Sequence, residues 1–266
     1  MTLHISRLAV YPLKSAAGTS LPEARLTSWG LEWDRRWMLV DAGGQFLSQR
    51  KLPRMALIQA GVEKECLRVS APGRPEMLAV PDNPQPVKVT VWNDEVWAET
   101  VSATADAWFE DFLGVKARLV FFPTHSQRPV DTAWASDGHF TSFSDGFPFL
   151  VASQASLDQL SAWWGRPVDW RRFRPNIVIG GAKSAFAEDE WSKIQISGTV
   201  FALVKPCSRC VIPSLDPDTA EKDASLQALL VQKRRASDGK IYLGQNAVLS
   251  MPGGADRLRV GQSVVV

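Results

Sequence analysis

Val87, Val89 and Val91 alternate with polar residues up to Asn93-Asp94, and Val96 and Ala98 answer them on the far side of that pair. A period of two places these valines on one face of a strand, and a turn-forming pair between two such runs closes a hairpin. The pattern recurs upstream. Leu3 to Val10, Ala24 to Thr27, Arg36 to Asp41 and Phe46 to Ser48 read as strands, with Gly43-Gly44 turning between the last two. The first half of the chain is therefore expected to be rich in β-structure.

Helical spacing enters later. Ser102 can cap a helix whose apolar positions Ala105, Trp108, Phe109 and Phe112 share one face, with Gly114 just past its end. Arg118 to Phe122 returns to strand, and Pro123 to Phe147 is a long polar stretch, either a functional loop or a disordered one. Ser153 caps a second helix with Leu157, Leu160 and Trp164 inward. Ile177 to Ile179, Ile194 to Ile196 and Val200 to Val204 read as strands, Ala224 to Arg235 as a third helix, and Ala247 to Leu249 and Ser263 to Val266 as short closing strands. A domain boundary is expected near residue 120, giving segments 1–120 and 121–266.

Composition narrows the function classes. With 266 residues and 45% hydrophobic content the chain can bury one large core or two smaller ones. A net charge of +2 gives no strong footprint for nucleic acid or an anionic membrane. No apolar run approaches the roughly 20 residues that cross a bilayer, the first residues lack a signal-peptide pattern, and three cysteines, an odd number, fit a reducing compartment. The expected location is the cytoplasm, with neither nucleic acid nor membrane as partner. The 11 tryptophans are expected to fill cores and domain seams.

Two of the three cysteines lie in Cys207-Ser208-Arg209-Cys210, where an apolar strand breaks at Pro206. A thiolate is a soft metal ligand and a nucleophile, and the flanking Lys205 and Arg209 favour it. A structural zinc site wants four ligands, and only Cys66, His4, His125 and His139 remain to complete one. A thioredoxin-like pair would open a helix, whereas Pro213 and the Asp216-Pro217-Asp218 turn follow here. Buried, inert thiols remain open as a reading. Cationic and polar groups fall at other strand ends: Lys14-Ser15, Asp34-Arg35-Arg36, Arg174 and Asn176 around Pro175, and Ser208-Arg209. Together they can form a phosphate pocket.

The order of these motifs closely resembles the MOSC proteins with an N-terminal β-barrel domain, a family that includes the mitochondrial amidoxime-reducing component and bacterial relatives. The resemblance is carried by Tyr11-Pro12-Leu13-Lys14-Ser15, Asp34-Arg35-Arg36-Trp37, Ser144-Asp145, Phe173-Arg174-Pro175-Asn176, Glu188-Asp189, Cys207-Ser208-Arg209-Cys210 and Gly244-Gln245, and spans nearly the whole chain. It implies a mainly β fold with helices, of the α+β class, made of two β-barrel-like domains: an N-terminal MOSC β-barrel over 1–120 and a MOSC domain over 121–266. It also implies a molybdenum cofactor of the molybdopterin type between them, with Cys210 as the protein ligand to the metal and Cys207 as a neighbour.

Carried over by position, Lys14, Ser15, Arg35, Arg174, Asn176, Ser208 and Arg209 should contact the cofactor. Asp145 should lie beside it, orienting the pterin or handling protons. The implied activity, with a detoxifying role, is two-electron reduction of small N-hydroxylated compounds such as amidoximes and N-hydroxylated nucleobases, with release of water. Three cysteines cannot supply a four-thiolate iron–sulfur cluster beside a molybdenum ligand, and no Gly-rich nucleotide fingerprint follows a strand. Electrons should therefore come from a separate reductase or redox protein. The alternative function is a carrier of the cofactor, or of persulfide sulfur on Cys210.

Overall fold

The computed structural model describes residues 2–251, 253–254 and 256–266. In chain order the strands of the first half are β1 (His4–Val10), β2 (Thr19–Leu21), β3 (Glu23–Thr27), β4 (Gly30–Leu31), β5 (Trp37–Val40), β6 (Gln59–Glu63), β7 (Cys66–Ala71), β8 (Arg74–Ala79), β9 (Pro86–Val91) and β10 (Asp94–Thr100). Helix α1 (Ala103–Leu113) and β11 (Arg118–Phe121) follow. Then come β12 (Phe149–Ser153), α2 (Gln154–Trp164), β13 (Ile177–Gly180), β14 (Lys193–Ile196), β15 (Thr199–Ser208), α3 (Ala224–Arg234), β16 (Tyr242–Met251), β17 (Arg257–Arg259) and β18 (Val264–Val265).

The valine alternation gives a hairpin, but its turn is Trp92-Asn93 and not the expected Asn93-Asp94: Asp94 already pairs with Val91, and Val89 faces Val96 across β9 and β10. Alternation fixes this register, because a one-residue slip would turn Val89 and Val96 out of the core. The helices start and stop where their caps stand. Ser102 Oγ accepts from Ala105 N at 3.2 Å, and Gly114 closes α1 with φ 71°, a left-handed backbone that costs glycine little. Ser153 and Gly165 frame α2 in the same way.

Eight strands form the largest sheet, in the order β18-β14-β15-β16-β12-β13-β1-β2, beside three smaller sheets β5-β11-β10-β9, β17-β3-β4 and β6-β7-β8. The ladders are open and not closed barrels, although the α+β class holds. Backbone bonds still draw the ends of the large sheet together: Ile5 N donates to Gln262 O at 2.9 Å and Val264 N to Leu3 O at 2.9 Å. The first strand belongs to the sheet of the second half, since β1 pairs antiparallel with β13. β17 likewise pairs back onto β3. Strand pairing thus crosses the sequence division at residue 120, and β1 delivers the segment after Val10 directly against the segment before Ile177.

Three expectations change in detail. Phe46 to Ser48 is no strand but an edge held by single bridges, Val40 to Phe46 and Gln45 to Thr90. The β6-β7-β8 sheet had no expected counterpart, because its strands carry charges on their outer faces and hide their alternation. The tryptophans do not all fill cores: Trp92, Trp97, Trp134 and Trp163 are each more than a third exposed. The stretch Pro123 to Phe147 is an ordered loop, with Ser126, Arg128, Val130, Ser142, Phe143 and Ser144 buried.

Phe149 and Phe201 meet edge to face inside the large sheet, with ring centroids 5.1 Å apart and exposures of 1% and 0%. Phe201→Ala is expected to cost about 3–5 kcal/mol of unfolding free energy, from lost transfer energy plus the cavity left behind, as read by chemical denaturation.

Candidate active-site cleft

Tyr11, which follows β1, organises the inner wall of a cleft. Two guanidinium groups lie over its buried ring, Arg35 at 4.2 Å and Arg174 at 4.3 Å from the centroid. Its hydroxyl donates to Pro175 O at 3.1 Å, and burial, offset in part by the two arginines, raises its pKa well above the usual phenol range. A Cβ on Gly18 would stand 2.3 Å from this ring, so the chain can pass here only as glycine. Asp34 accepts Tyr11 N at 2.8 Å and Arg35 Nη1 at 2.5 Å, placing one carboxylate beneath the pair.

Arg35 reaches across to the second half, where Nη1 donates to Asn176 Oδ1 and Nη2 to Arg174 O, both at 3.2 Å. Arg174 answers with Nη1 to Ala16 O at 2.5 Å. Burial, followed by the neighbouring Arg35, lowers the Arg174 pKa to about 10. Asn176 is 2% exposed, and its amide also meets Ala9 O and Leu150 N. Its side chain therefore holds Arg35 and joins β12 to β1.

Lys14 is 5% exposed and donates from Nζ to Phe143 O at 2.7 Å and Asp145 Oδ1 at 2.6 Å. The carboxylate side of this pair is 75% exposed, so it stands at the mouth. Burial lowers the Lys14 pKa to about 8 against the raising effect of Asp145. Crowding works to raise the Asp145 carboxyl, but the Lys14 ammonium and the Trp92 indole hold it well below the usual carboxylate range.

The thiols come from the end of β15. Arg209 donates from Nη1 to Cys207 Sγ at 3.0 Å and from Nη2 to Phe173 O at 2.7 Å. Cys210 is exposed, and Ile212 N donates to its sulfur at 3.5 Å. The segment leaving it is anchored from below: buried Arg172 donates to Leu215 O at 2.6 Å and to Asp216 Oδ2 at 2.7 Å, while Arg171 grips Asp218. Asp216 in turn accepts the backbone N–H groups of Asp218 and Thr219. The Asp216-Pro217-Asp218-Thr219 turn is thus tied to the short helical turn that ends at Arg174.

Every residue that the resemblance assigns to the site lines this one cleft, Lys14, Ser15, Arg35, Asp145, Arg174, Asn176, Ser208, Arg209 and Cys210, whereas Asp34 and Arg36 of the expected phosphate cluster do not line it, Arg36 donating instead to Phe122 O. The sequence reading missed Phe46, Arg50 and Trp92 on the same wall. Trp92 is the first residue of the Trp92-Asn93 turn between β9 and β10, where the sequence signals only a hairpin. It also missed Arg128, 2% exposed, which donates to Ser142 O and Ser144 O and so shapes the loop that carries Asp145. A wider groove of ≈ 740 Å³ lies elsewhere, but its arginines are paired with carboxylates, Arg25 with Glu32, Arg68 with Glu76 and Arg257 with Glu23, and among the described residues no thiol lines it. Chemistry, not volume, marks the site.

The donor set suits an anion. Lys14, Arg35, Arg174 and Arg209 outnumber Asp34 and Asp145, and buried Arg209 Nε and Ser144 Oγ have no partner. Among the described residues no three His, Cys, Asp or Glu side chains gather as a metal cage. A metal at Cys210 would take its other donors from a cofactor.

Residues 2–116 match the MOSC N-terminal beta barrel domain and residues 139–265 the MOSC domain. The mitochondrial amidoxime-reducing component 1 of Mus musculus is 32% identical over 280 residues, covering 98% of this chain and 81% of that one. The human protein of that name is 31% identical, over 98% of this chain and 82% of its own length. A molybdenum cofactor sulfurase from Oryza sativa subsp. japonica is 28% identical over 91% of this chain but 32% of its own length. The chain belongs to the MOSC family, with an N-terminal MOSC β-barrel domain, and is a homologue of the amidoxime-reducing components.

The Lys14 amine is expected to titrate near pH 8, below the surface lysines, in NMR of isotopically methylated protein, and Asp145→Asn should lower it further by removing the stabilising charge. Between pH 8 and 10.5 the unfolded chain then holds this proton and the folded one does not. The contribution of Lys14 to stability therefore rises with pH across that window.

Proposed function

We propose that the chain is a molybdenum-cofactor-dependent reductase of N-hydroxylated compounds, amidoximes and N-hydroxylated nucleobases among them, supplied with electrons by a separate donor protein. The observation that carries this reading is the exposed Cys210 thiol in a cleft with an excess of cations. Substrate takes up two electrons and two protons, its N–O bond breaks, and water leaves with the hydroxyl oxygen. When bound, the cofactor supplies a metal able to exchange those two electrons and to receive the substrate oxygen.

The chain's own residues divide the remaining work. Of the two domains assigned here, 1–120 contributes Lys14, Ser15 and Arg35, and 121–266 contributes Asp145, Arg174, Asn176, Ser208, Arg209 and Cys210. Cys210 is the thiolate ligand, whose softness suits a metal already bound by sulfur. The guanidinium groups of Arg35 and Arg174 and the Lys14 ammonium bind the terminal phosphate, with Ser15, Ser208 and Arg209 along the pterin. Asn176 holds Arg35 in place, and Asp145 sets the position of the Lys14 ammonium.

The exposed carboxylate of Asp145 stands at the mouth of the cleft beside the Lys14 ammonium. The sulfur-carrier reading also has support, from the exposed thiol and the likeness to the sulfurase. Metal content and labile sulfur separate the two.

Protein from a cofactor-competent host is expected to hold close to one molybdenum per chain and to reduce benzamidoxime with a chemical electron donor. Cys210→Ser should lose that rate by at least about 100-fold, more than outer-sphere changes cost a metal site, and retained activity refutes the assignment. Cysteine-bound labile sulfur without any reduction would favour the carrier. NADH or NADPH alone should support no turnover; oxidation of either by the purified protein with substrate, followed at the nicotinamide absorbance, overturns the need for a partner.

A further inference from the structure

The rim of the cleft holds cations that the cofactor reading does not use. The Arg50 guanidinium lies over the Trp92 ring, 4.2 Å from its centroid, and Trp92 is 40% exposed. Phe46 packs against the same indole at 5.1 Å, and Arg50, Trp92, Phe46 and Phe147 all line the cleft. Beside Phe147, just outside the cleft's lining, lies Lys205, its Nζ 5.7 Å from that ring's centroid and 4.7 Å from that of Trp134. Among the described residues neither Arg50 nor Lys205 meets a carboxylate; each rests on aromatic rings alone. Elsewhere on the same hairpin the cations are neutralised, Lys88 by Glu95, and Arg128 meets Asp94.

An Arg stacked face-on over an indole keeps its N–H edge free to bind, and the stack holds it there. Trp92 is itself fixed. Its backbone is left-handed at φ 60°, and its Nε1 donates to Asp145 Oδ1 at 3.1 Å. Its hairpin is clamped by Arg128, whose Nε reaches Asp94 at 2.7 Å while Nη1 holds Ser144 O. A surface that is already ordered loses little entropy when a ligand settles on it.

We propose that this rim is a substrate subsite for a planar ring carrying an anionic group, the ring lying against Trp92, Phe46 and Phe147 and the anion held by Arg50 with Lys205. This rests on the reductase reading for its N-hydroxyl end, which faces the thiol, and adds that the other end of the preferred substrate is negatively charged. Phosphate and carboxylate share that chemistry.

Four substrates in two pairs test it: N-hydroxycytidine with its monophosphate, and benzamidoxime with para-carboxybenzamidoxime. The charged member of a pair is expected to show kcat/KM about 10-fold higher, the worth of one hydrogen bond to an ion, falling with added salt. Preference in the cytidine pair alone marks a nucleotide substrate, and in the benzamidoxime pair alone an aryl acid. Arg50→Glu should abolish or invert the ratio, whereas Lys116→Glu, the same charge change at a residue paired with Glu110 outside the cleft, should keep it.

Calorimetry supplies a readout independent of turnover. Cytidine monophosphate should bind the molybdenum-loaded protein, whose inner cations are already taken, about 10-fold more tightly than cytidine, and Arg50→Glu should remove the difference. Equal rates within both pairs, or a phosphate gain that survives Arg50→Glu, overturns the subsite and leaves the reductase reading standing. Reduction of none of the four overturns the reductase reading, and the calorimetric comparison then decides the subsite by itself.

Discussion

Two guanidinium groups packed over one phenol ring repel each other, and the cleft exists because the fold holds them there. Arg35 and Arg174 each lie within 4.3 Å of the Tyr11 centroid, and one full carboxylate, Asp34, bonds Arg35. Carbonyl oxygens of Arg174 and Ala16 and the amide of Asn176 supply the remaining acceptors. Neutral acceptors satisfy N–H groups without cancelling charge. The arrangement is therefore a positive potential left over by design of the backbone, available to an anion that brings the charge the protein withholds.

That backbone is unusual in the same place. Ser15, Arg35, Trp92 and Arg174 all have positive φ, between 50° and 66°, and all four line the cleft. For residues with a Cβ such conformations cost on the order of 1 kcal/mol or more each. They persist because neighbouring contacts determine them: Lys14 N and Trp37 N are bonded on either side of the first two, to Trp37 O and Pro12 O. The turns aim side chains inward at points where an extended backbone would carry them past the cleft. Strain and the cleft coincide here, with four positive-φ residues along its lining.

Much of this was legible in the residues. The valine alternation marked β9 and β10 as a hairpin although the turn falls one residue earlier than expected, Ser102 with Gly114 bounded α1, and the motif order named nine residues that share one cleft. What escaped has physical causes. The β6-β7-β8 sheet buries Leu67 and Val69 but shows charges outward and has a charged turn at Lys64-Glu65, so its period is masked. Trp92 and Arg50 were hidden for a different reason: stacking across 42 positions of sequence leaves no local mark, and an exposed tryptophan reads like a buried one until its surroundings are known. Arg128 gave no signal either, because its partners are mostly backbone oxygens, which every residue possesses.

The inner and outer parts of the cleft differ in how their cations are held, and this difference argues for two ligands instead of one. Inside, Lys14, Arg35, Arg174 and Arg209 are locked by hydrogen bonds to carbonyls and carboxylates. Groups fixed so firmly suit a resident that stays bound and never has to be released. At the rim, Arg50 and Lys205 are held only by contact with rings, an attraction worth about 0.5–1 kcal/mol when exposed. Such groups can follow a ligand in and let it go, which a substrate must do on every turnover and a cofactor must not. Asp145 joins the two zones, accepting Lys14 from the inside and Trp92 from the rim on the same oxygen. A displacement of that carboxylate by an arriving cofactor would free the indole from its inner tether, so occupation of the inner zone and the posture of the outer one are mechanically linked.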